Sequence, residues 1–141
     1  AAHTAALAVE LGAEDPRVDA PRAIELYLRD RFGLSVLVAA KGADVVGYAS
    51  HRLEVETAFN AIGRYLSDLY VAPAHRRSGV GHALIAAVAR ATAHEGGEFI
   101  MWLAKADRSE EQALYRRVAD VETPVKAFAV TRENFRKIAE H

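Results

Sequence analysis

The chain has no cysteine. That absence excludes a disulfide framework, a thiolate nucleophile and a cysteine-ligated zinc site, and it fits a cytoplasmic protein. Net charge is nearly absent too, at −1 formally. No global field therefore draws in nucleic acid or an acidic membrane surface. A nucleic-acid reader would also need a basic surplus and stacking aromatics, and neither is present. No apolar run approaches the roughly 18 residues that cross a bilayer, so no membrane partner is expected. The opening stretch "AAHTAALAVELG" is apolar but has no basic region ahead of it, so it does not read as a signal peptide. It also lacks a methionine, which points to a leading segment removed or left out. There is no Ser-His-Asp arrangement on a nucleophile elbow. The six histidines include no pair at metal-ligand spacing with a third ligand nearby, so no metal is expected.

What is present suits one domain over residues 1–141: 141 residues, 51% of them apolar. Helix and strand signals alternate, which predicts an α/β fold. Residues 3–11 read as a short helix. Asp19 and Pro21 open a second, with Ile24, Leu28 and Phe32 on one face and Gly33 as its stop. "LSVLVAA" (34–40) reads as a buried strand, and the turn "KGAD" (41–44) joins it to a strand over 45–56. A connector (57–63) leads to the strand "RYLSDLYV" (64–71). A helix over 79–95 carries Val80, Leu84, Val88 and Ala91 on one face and stops at Gly96 and Gly97. "EFIMWLA" (98–104) reads as a further buried strand, with Trp102 in the core. Ser109 and Gln112 suggest a capping box for a helix carrying Leu114 and Tyr115. "PVKAFAV" (124–130) reads as a strand and "TRENFRKIAEH" as a terminal helix capped by Thr131.

The most informative stretch is "VAPAHRRSGVGHALIAAVARA" (71–91). An apolar strand ends, a loop with His75, Arg76 and Arg77 follows, and Gly79 and Gly81 lead into a helix. A helix N-terminus leaves amide N–H groups unpartnered and carries partial positive charge. Glycines let the backbone approach an anion closely, and arginines add charge-assisted donors. Local physics leaves two readings open: a phosphate cradle, or a tight strand-to-helix turn with solvated arginines. A Walker A loop is excluded because Gly-Lys-Ser/Thr is absent. The Rossmann fingerprint is excluded because Leu84 stands where a third small residue belongs, and no acidic residue ends the next strand.

"LYVAPAHRRSGVGHALI" resembles the acetyl-coenzyme A signature of the GNAT superfamily of N-acetyltransferases, on Val71, Pro73, Arg76, Gly79 and Gly81. Within that superfamily "YLSDLYVAP", "ALYRR" and "FAVTRENFRKIAEH" resemble the diamine (spermidine/spermine) acetyltransferases. The resemblance implies the GNAT fold, a mixed, mostly antiparallel twisted sheet flanked by helices. That fold begins with a strand before its first helix, and this chain is expected to start after it. The terminal strand and helix of relatives often pack across a two-fold axis, so the resemblance extends to a homodimer.

The implied reaction moves acetyl from acetyl-coenzyme A to a primary amine by direct attack through a tetrahedral intermediate. The acceptor is a small-molecule amine or, alternatively, a protein lysine or N-terminus. Leu69, Tyr70 and Val71 would line the pantetheine arm with their backbone, one of them offering an amide to the thioester oxygen. The pyrophosphate would lie over Arg76, Arg77, Ser78, Gly79, Val80, Gly81 and His82. Tyr115, in the family's Leu-Tyr position, is the candidate general acid, by a mildly uphill proton transfer. Relatives carry a glutamate where Ser67 stands. Asp68 beside it is the other catalytic candidate, although it has the alternatives of binding a cationic substrate or hydrogen bonding within the fold. Glu54 and Glu56 are placed to reach the same cleft or to form a solvated strand end. His51 is a candidate to face substrate, and His75 and His82 to touch phosphate. Arg116 or Arg117 is expected to be solvated or to pair with Glu110 or Glu111. Arg108 stands where relatives often have an asparagine, and Ala119 and Asp120 where they have glycine and an aromatic or small residue. Ser67 and Arg108 favour the rival reading, a non-catalytic acyl-coenzyme A-binding module.

Overall fold

The computed structural model describes residues 24–28 and 32–140. The expected helix at 3–11, the cap at Asp19 and Pro21 and the question of a preceding strand lie outside them. Of the second helix the structure describes one wide turn, Ile24–Leu28, in which Ile24 and Leu28 are exposed and Tyr27 is half-buried.

Four strands form one sheet in the order β1-β2-β3-β4. β1 (Leu34–Lys41) and β2 (Asp44–Glu56) are antiparallel, with Lys41 opposite Asp44 across the expected turn. β1 is an edge strand with Val38 exposed, not the buried strand its apolar run suggests. β3 begins at Ala61 and ends at Val71, earlier than expected, because Glu56 pairs directly with Ala61 across a tight turn. Helix α1 (Val80–His94) then crosses over, as a parallel connection requires, to β4 (Phe99–Met101). β4 is three residues long, where the apolar run suggested seven, and pairs only as Gly63 with Phe99, Arg64 with Ile100 and Tyr65 with Met101. Helix α2 (Ser109–Val118) and helix α3 (Arg132–Ala139) complete the chain.

The core lies between α1 and one face of the sheet. Leu84, Ile85 and Val88 pack on Ala49 and Leu66. Removing the Leu84 side chain down to alanine would cost about 2–5 kcal/mol. Leu69 and Val71 pack against the same cluster as Leu66. Leu66 and Leu69 are three residues apart, so strict alternation would put them on opposite faces. The register explains this: Asp68 pairs with Ser50 and Leu66 with His51, leaving Ser67 as an inserted residue in β3. Such a bulge rotates the residues beyond it. Leu69 turns inward, and Asp68 turns to the other face beside Tyr48 and Tyr70, whose rings are 6.0 Å apart.

Three expectations fail at the C-terminal end. Residues 124–130 are not a strand, because their apolar side chains meet no sheet edge and the whole segment is exposed. The capping box does not form: Gln112 donates instead to the carbonyls of Lys105 and Ala106, and Arg108 occupies the cap. Thr131 does take the cap position of α3, but without a side-chain hydrogen bond.

His51 is also not where a substrate would meet it. It is 2% exposed, on the core face, with Nδ1 3.5 Å from Arg64 Nη1. Arg64, itself buried, is paired with Glu95 at the end of α1. Guanidinium only donates, so Nδ1 is the acceptor and the proton sits on Nε2, which has no partner among the described residues. Burial, and then Arg64, hold the imidazole below its ordinary 6.5, with Glu95 opposing. The native state thus keeps His51 neutral while the unfolded chain takes up a proton, so stability falls as pH drops below about 6.5. The unfolding free energy from urea titrations is expected to drop between pH 7.5 and 5.5 by about 1 kcal/mol more for the wild type than for His51→Gln. Equal losses would show that His51 is not the group responsible.

Candidate functional site

Beyond Tyr65 the two central strands part, because β4 stops at Met101 while β3 runs on to Val71. Trp102 leaves the sheet and lies against Tyr115, ring centroids 5.3 Å apart. A cleft of about 640 Å³ opens between β3, the start of α1 and α2. It brings together Leu69, Tyr70, Val71, Arg76, Arg77, Gly79, Gly81, His82 and Tyr115 from the expected set. Ser78 and Val80 do not line it: Ser78 Oγ donates to the His75 carbonyl and Val80 packs toward the core. His75 is likewise absent from its walls. Sequence reasoning missed Asp107, Glu110, Glu111, Leu114 and Arg117, which form the opposite wall with Arg108. A helix read as amphipathic gave no signal that its polar side faces a cleft.

The loop is held by its own contacts. Pro73–His75 form a short turn, and the Arg76 Nε donates to the Val71 carbonyl at 2.9 Å. Arg77 takes φ 59° and Gly79 φ 86°, both left-handed. A non-glycine residue there is strained, a feature that clusters at binding sites. The first bond of α1 runs from the Ala83 N–H to the Gly79 carbonyl at 2.9 Å. The amides from Gly79 to His82 therefore precede the helical ladder and point out of its end. Gly81 is needed for another reason: a Cβ there would lie 3.0 Å from Leu114 Cδ2, so its absence lets α2 close on α1.

The Tyr115 phenol is half-buried. Burial pushes it up to about 12, Glu111 adds to the rise and Arg108 opposes it. Arg108 itself bonds Glu111 at 3.1 Å, in the place an asparagine was expected to take in relatives. Tyr115 thus keeps its proton at physiological pH and has an O–H to donate.

Several candidates lie elsewhere. Asp68 does not line the cleft; it is half-buried on the other face of β3 and accepts a hydrogen bond from Ser50 Oγ. Glu54 pairs with Arg52, and Glu56 accepts from the Ala58 amide, so both form the far, solvated end of the hairpin. Arg116 pairs with Glu122 at 2.9 Å rather than with Glu110 or Glu111. Among the described residues no group of acidic and histidine side chains is placed to hold a metal, and no helix is long and apolar enough to cross a membrane.

The model of the acetyltransferase (GNAT) family matches residues 5–119. No curated protein matches the chain. Among solved structures, an integron cassette protein from the mobile metagenome of V. cholerae is 17% identical with a TM-score of 0.81, covering 98% of this chain and 88% of the other. An aminoglycoside acetyltransferase from an uncultured soil metagenomic sample, in complex with sisomicin, is 21% identical with a TM-score of 0.73, over 92% and 84%. An aminoglycoside N-acetyltransferase in complex with CoA is 21% identical with a TM-score of 0.66, over 79% and 84%. At these identities the likeness is one of fold.

The cleft predicts its own sensitivity. Gly81→Ala should push the Leu114 methyl group, 3.0 Å from the new Cβ, into the cleft wall and weaken coenzyme A binding by about ten-fold, read by calorimetry. Unchanged affinity in a folded variant would mean that the closeness of α1 and α2 does not shape the cleft.

Proposed function

The chain belongs to the acetyltransferase (GNAT) family, with acetyl-coenzyme A as its acetyl donor, and from that premise we propose that it acetylates a primary amine of a small molecule. The observation that carries the reading is the parting of β3 and β4 beside a helix N-terminus flanked by two arginines. The residues present fit the donor. Arg76, Arg77 and the amides from Gly79 to His82 would hold its diphosphate. The stretch of β3 at Leu69, Tyr70 and Val71, which β4 does not reach, would hold the pantetheine arm. When bound, the donor supplies an activated thioester.

Tyr115 then acts at the sulfur. A thiol has pKa about 8.5, so complete transfer from a phenol at about 12 is uphill by roughly 5 kcal/mol. The transfer is steeper than an unperturbed phenol near 10 would suggest. Tyr115 is therefore a hydrogen-bond donor to the departing sulfur rather than a full acid. An amine acceptor of the diamine or aminoglycoside kind is favoured by a carboxylate, Asp68, on the strand that carries the cleft.

A homodimer belongs to the same reading. All residues from Asp120 to Glu140 are exposed, including Phe128 at 90%, Phe135 and Ile138. An eight-residue helix has little stability in isolation, and a contiguous apolar surface of this kind usually meets a partner. A second copy supplies one with the same surface.

Thiol release with acetyl-coenzyme A across a panel of small amines, lysine peptides and N-terminal peptides tests the function. Small amines should turn over, and Tyr115→Phe should lower kcat by about 100-fold while changing coenzyme A affinity by less than about three-fold. Binding without turnover on any acceptor would instead identify a coenzyme A-binding module. Light scattering should give twice the 15.3 kDa chain mass, falling to one chain in Phe128→Asp/Ile138→Asp. A monomeric wild type would remove the dimer.

A further inference from the structure

The donor cleft leaves one ionisable group on β3 unexplained. Asp68 is half-buried, yet no cation pairs with it among the described residues. Arg52, which reaches the neighbouring Ser67, is engaged elsewhere. It pairs with Glu54 at 3.3 Å, lies 4.3 Å over the Tyr65 ring and reaches Ser67 Oγ at 3.4 Å. A carboxylate withdrawn from water is ordinarily paired. This one has a hydroxyl instead: Ser50, wholly buried and directly opposite in the register, donates to Asp68 Oδ2.

The Ser67 bulge is what creates the arrangement. Without the inserted residue Asp68 would share a face with Leu66 and enter the apolar core. With it, Asp68 stands one residue before Leu69, on the opposite side of the strand from the core and next to the edge that lines the cleft. A donor along that edge and an acceptor reaching it from the Asp68 side would meet at the same point of β3.

Resting on the acetyltransferase reading above, we propose that Ser50 is a positioning residue that holds the Asp68 carboxylate to receive the acceptor as an alkylammonium ion. Ser50 Oγ occupies one carboxylate oxygen and fixes its plane, and the other oxygen is left to take the N–H of the cation. Burial, and then the Asp68 charge, push the Tyr27 phenol up from its ordinary 10.0. The acceptor class is thus a cationic primary amine; neutral amides and alcohols of the same shape are excluded.

The test is steady-state kinetics on the best small amine, with the KM for each substrate read separately. Asp68→Asn should raise the amine KM by ten-fold or more, and Ser50→Ala by about three- to ten-fold, with the acetyl-coenzyme A KM within two-fold of wild type in both. Because Ser50 acts through Asp68, the double variant should match Asp68→Asn alone. Effects that multiply, or that raise both KM values together, would overturn the proposal, since a merely structural serine would give that result. If the wild type acetylates no amine, the function proposed above falls while the inference is still read directly. Calorimetry with propylammonium chloride should then give binding to the wild type that is lost in Asp68→Asn, and equal heats would sink it.

Discussion

The site exists because β3 and β4 stop pairing after three residues. Had they continued, β4 would cover the edge of β3 that borders the cleft beyond Tyr65. The parting is enforced from the β4 side by packing. Trp102 gains an aromatic contact with Tyr115 by leaving the sheet, and both join the cluster beneath α1. It is enforced from the β3 side by Arg76, whose side chain ties the loop back to the last residue of the strand. The same aromatic contact therefore closes the core and opens the cleft. The proposed donor tyrosine stands on the helix that this contact anchors.

Charge alone does not make this an anion site. Arg76, Arg77, Arg108, Arg117 and His82 share the cleft walls with Asp107, Glu110 and Glu111, and the chain as a whole carries −1. The partly exposed Arg108–Glu111 pair contributes no more than about 1 kcal/mol by itself. For the proposed diphosphate site, selectivity would come from fixed geometry, set by the amides ahead of Ala83 and the two left-handed residues, Arg77 and Gly79. Of the acids, Glu111 helps keep the proton of Tyr115 in place.

Where structure is decided within a few residues, the sequence was legible. Gly42 lies in the turn of the first hairpin, Gly79 begins α1 and Gly96 ends it, because positive φ is a local demand that side chains reveal. The loop residues of the site were legible for the same reason. Features set by pairing partners were not. The apolar run at 98–104 says that burial is available, but the point where β4 leaves β3 depends on Trp102 and Tyr115 meeting in space. The run at 124–130 has strand character and no edge to join. The bulge at Ser67 is invisible in an alternation of apolar and polar residues, and with it the face taken by Asp68. His51 reads as a polar residue on a strand. Only the position of Arg64 makes burial there tolerable.

The proton inventory of the proposed reaction is set by these environments. An alkylammonium has pKa about 10 and a thiol about 8.5, while the Tyr115 phenol stands at about 12. Of the three, Tyr115 is the weakest acid, so it is the last to give up a proton and the least able to take the reaction's net proton load. The nitrogen must supply both protons of the reaction. A bound ammonium first loses one to water, which frees the lone pair that attacks the thioester carbonyl. The acylated nitrogen then sheds a second, more acidic proton as the thiolate leaves and is protonated. The carboxylate on β3 would hold the ammonium close, with water carrying the protons. That is consistent with a serine at position 67, where relatives place a glutamate, and with a carboxylate at Asp68 that is fixed by a buried hydroxyl rather than tuned by a cation.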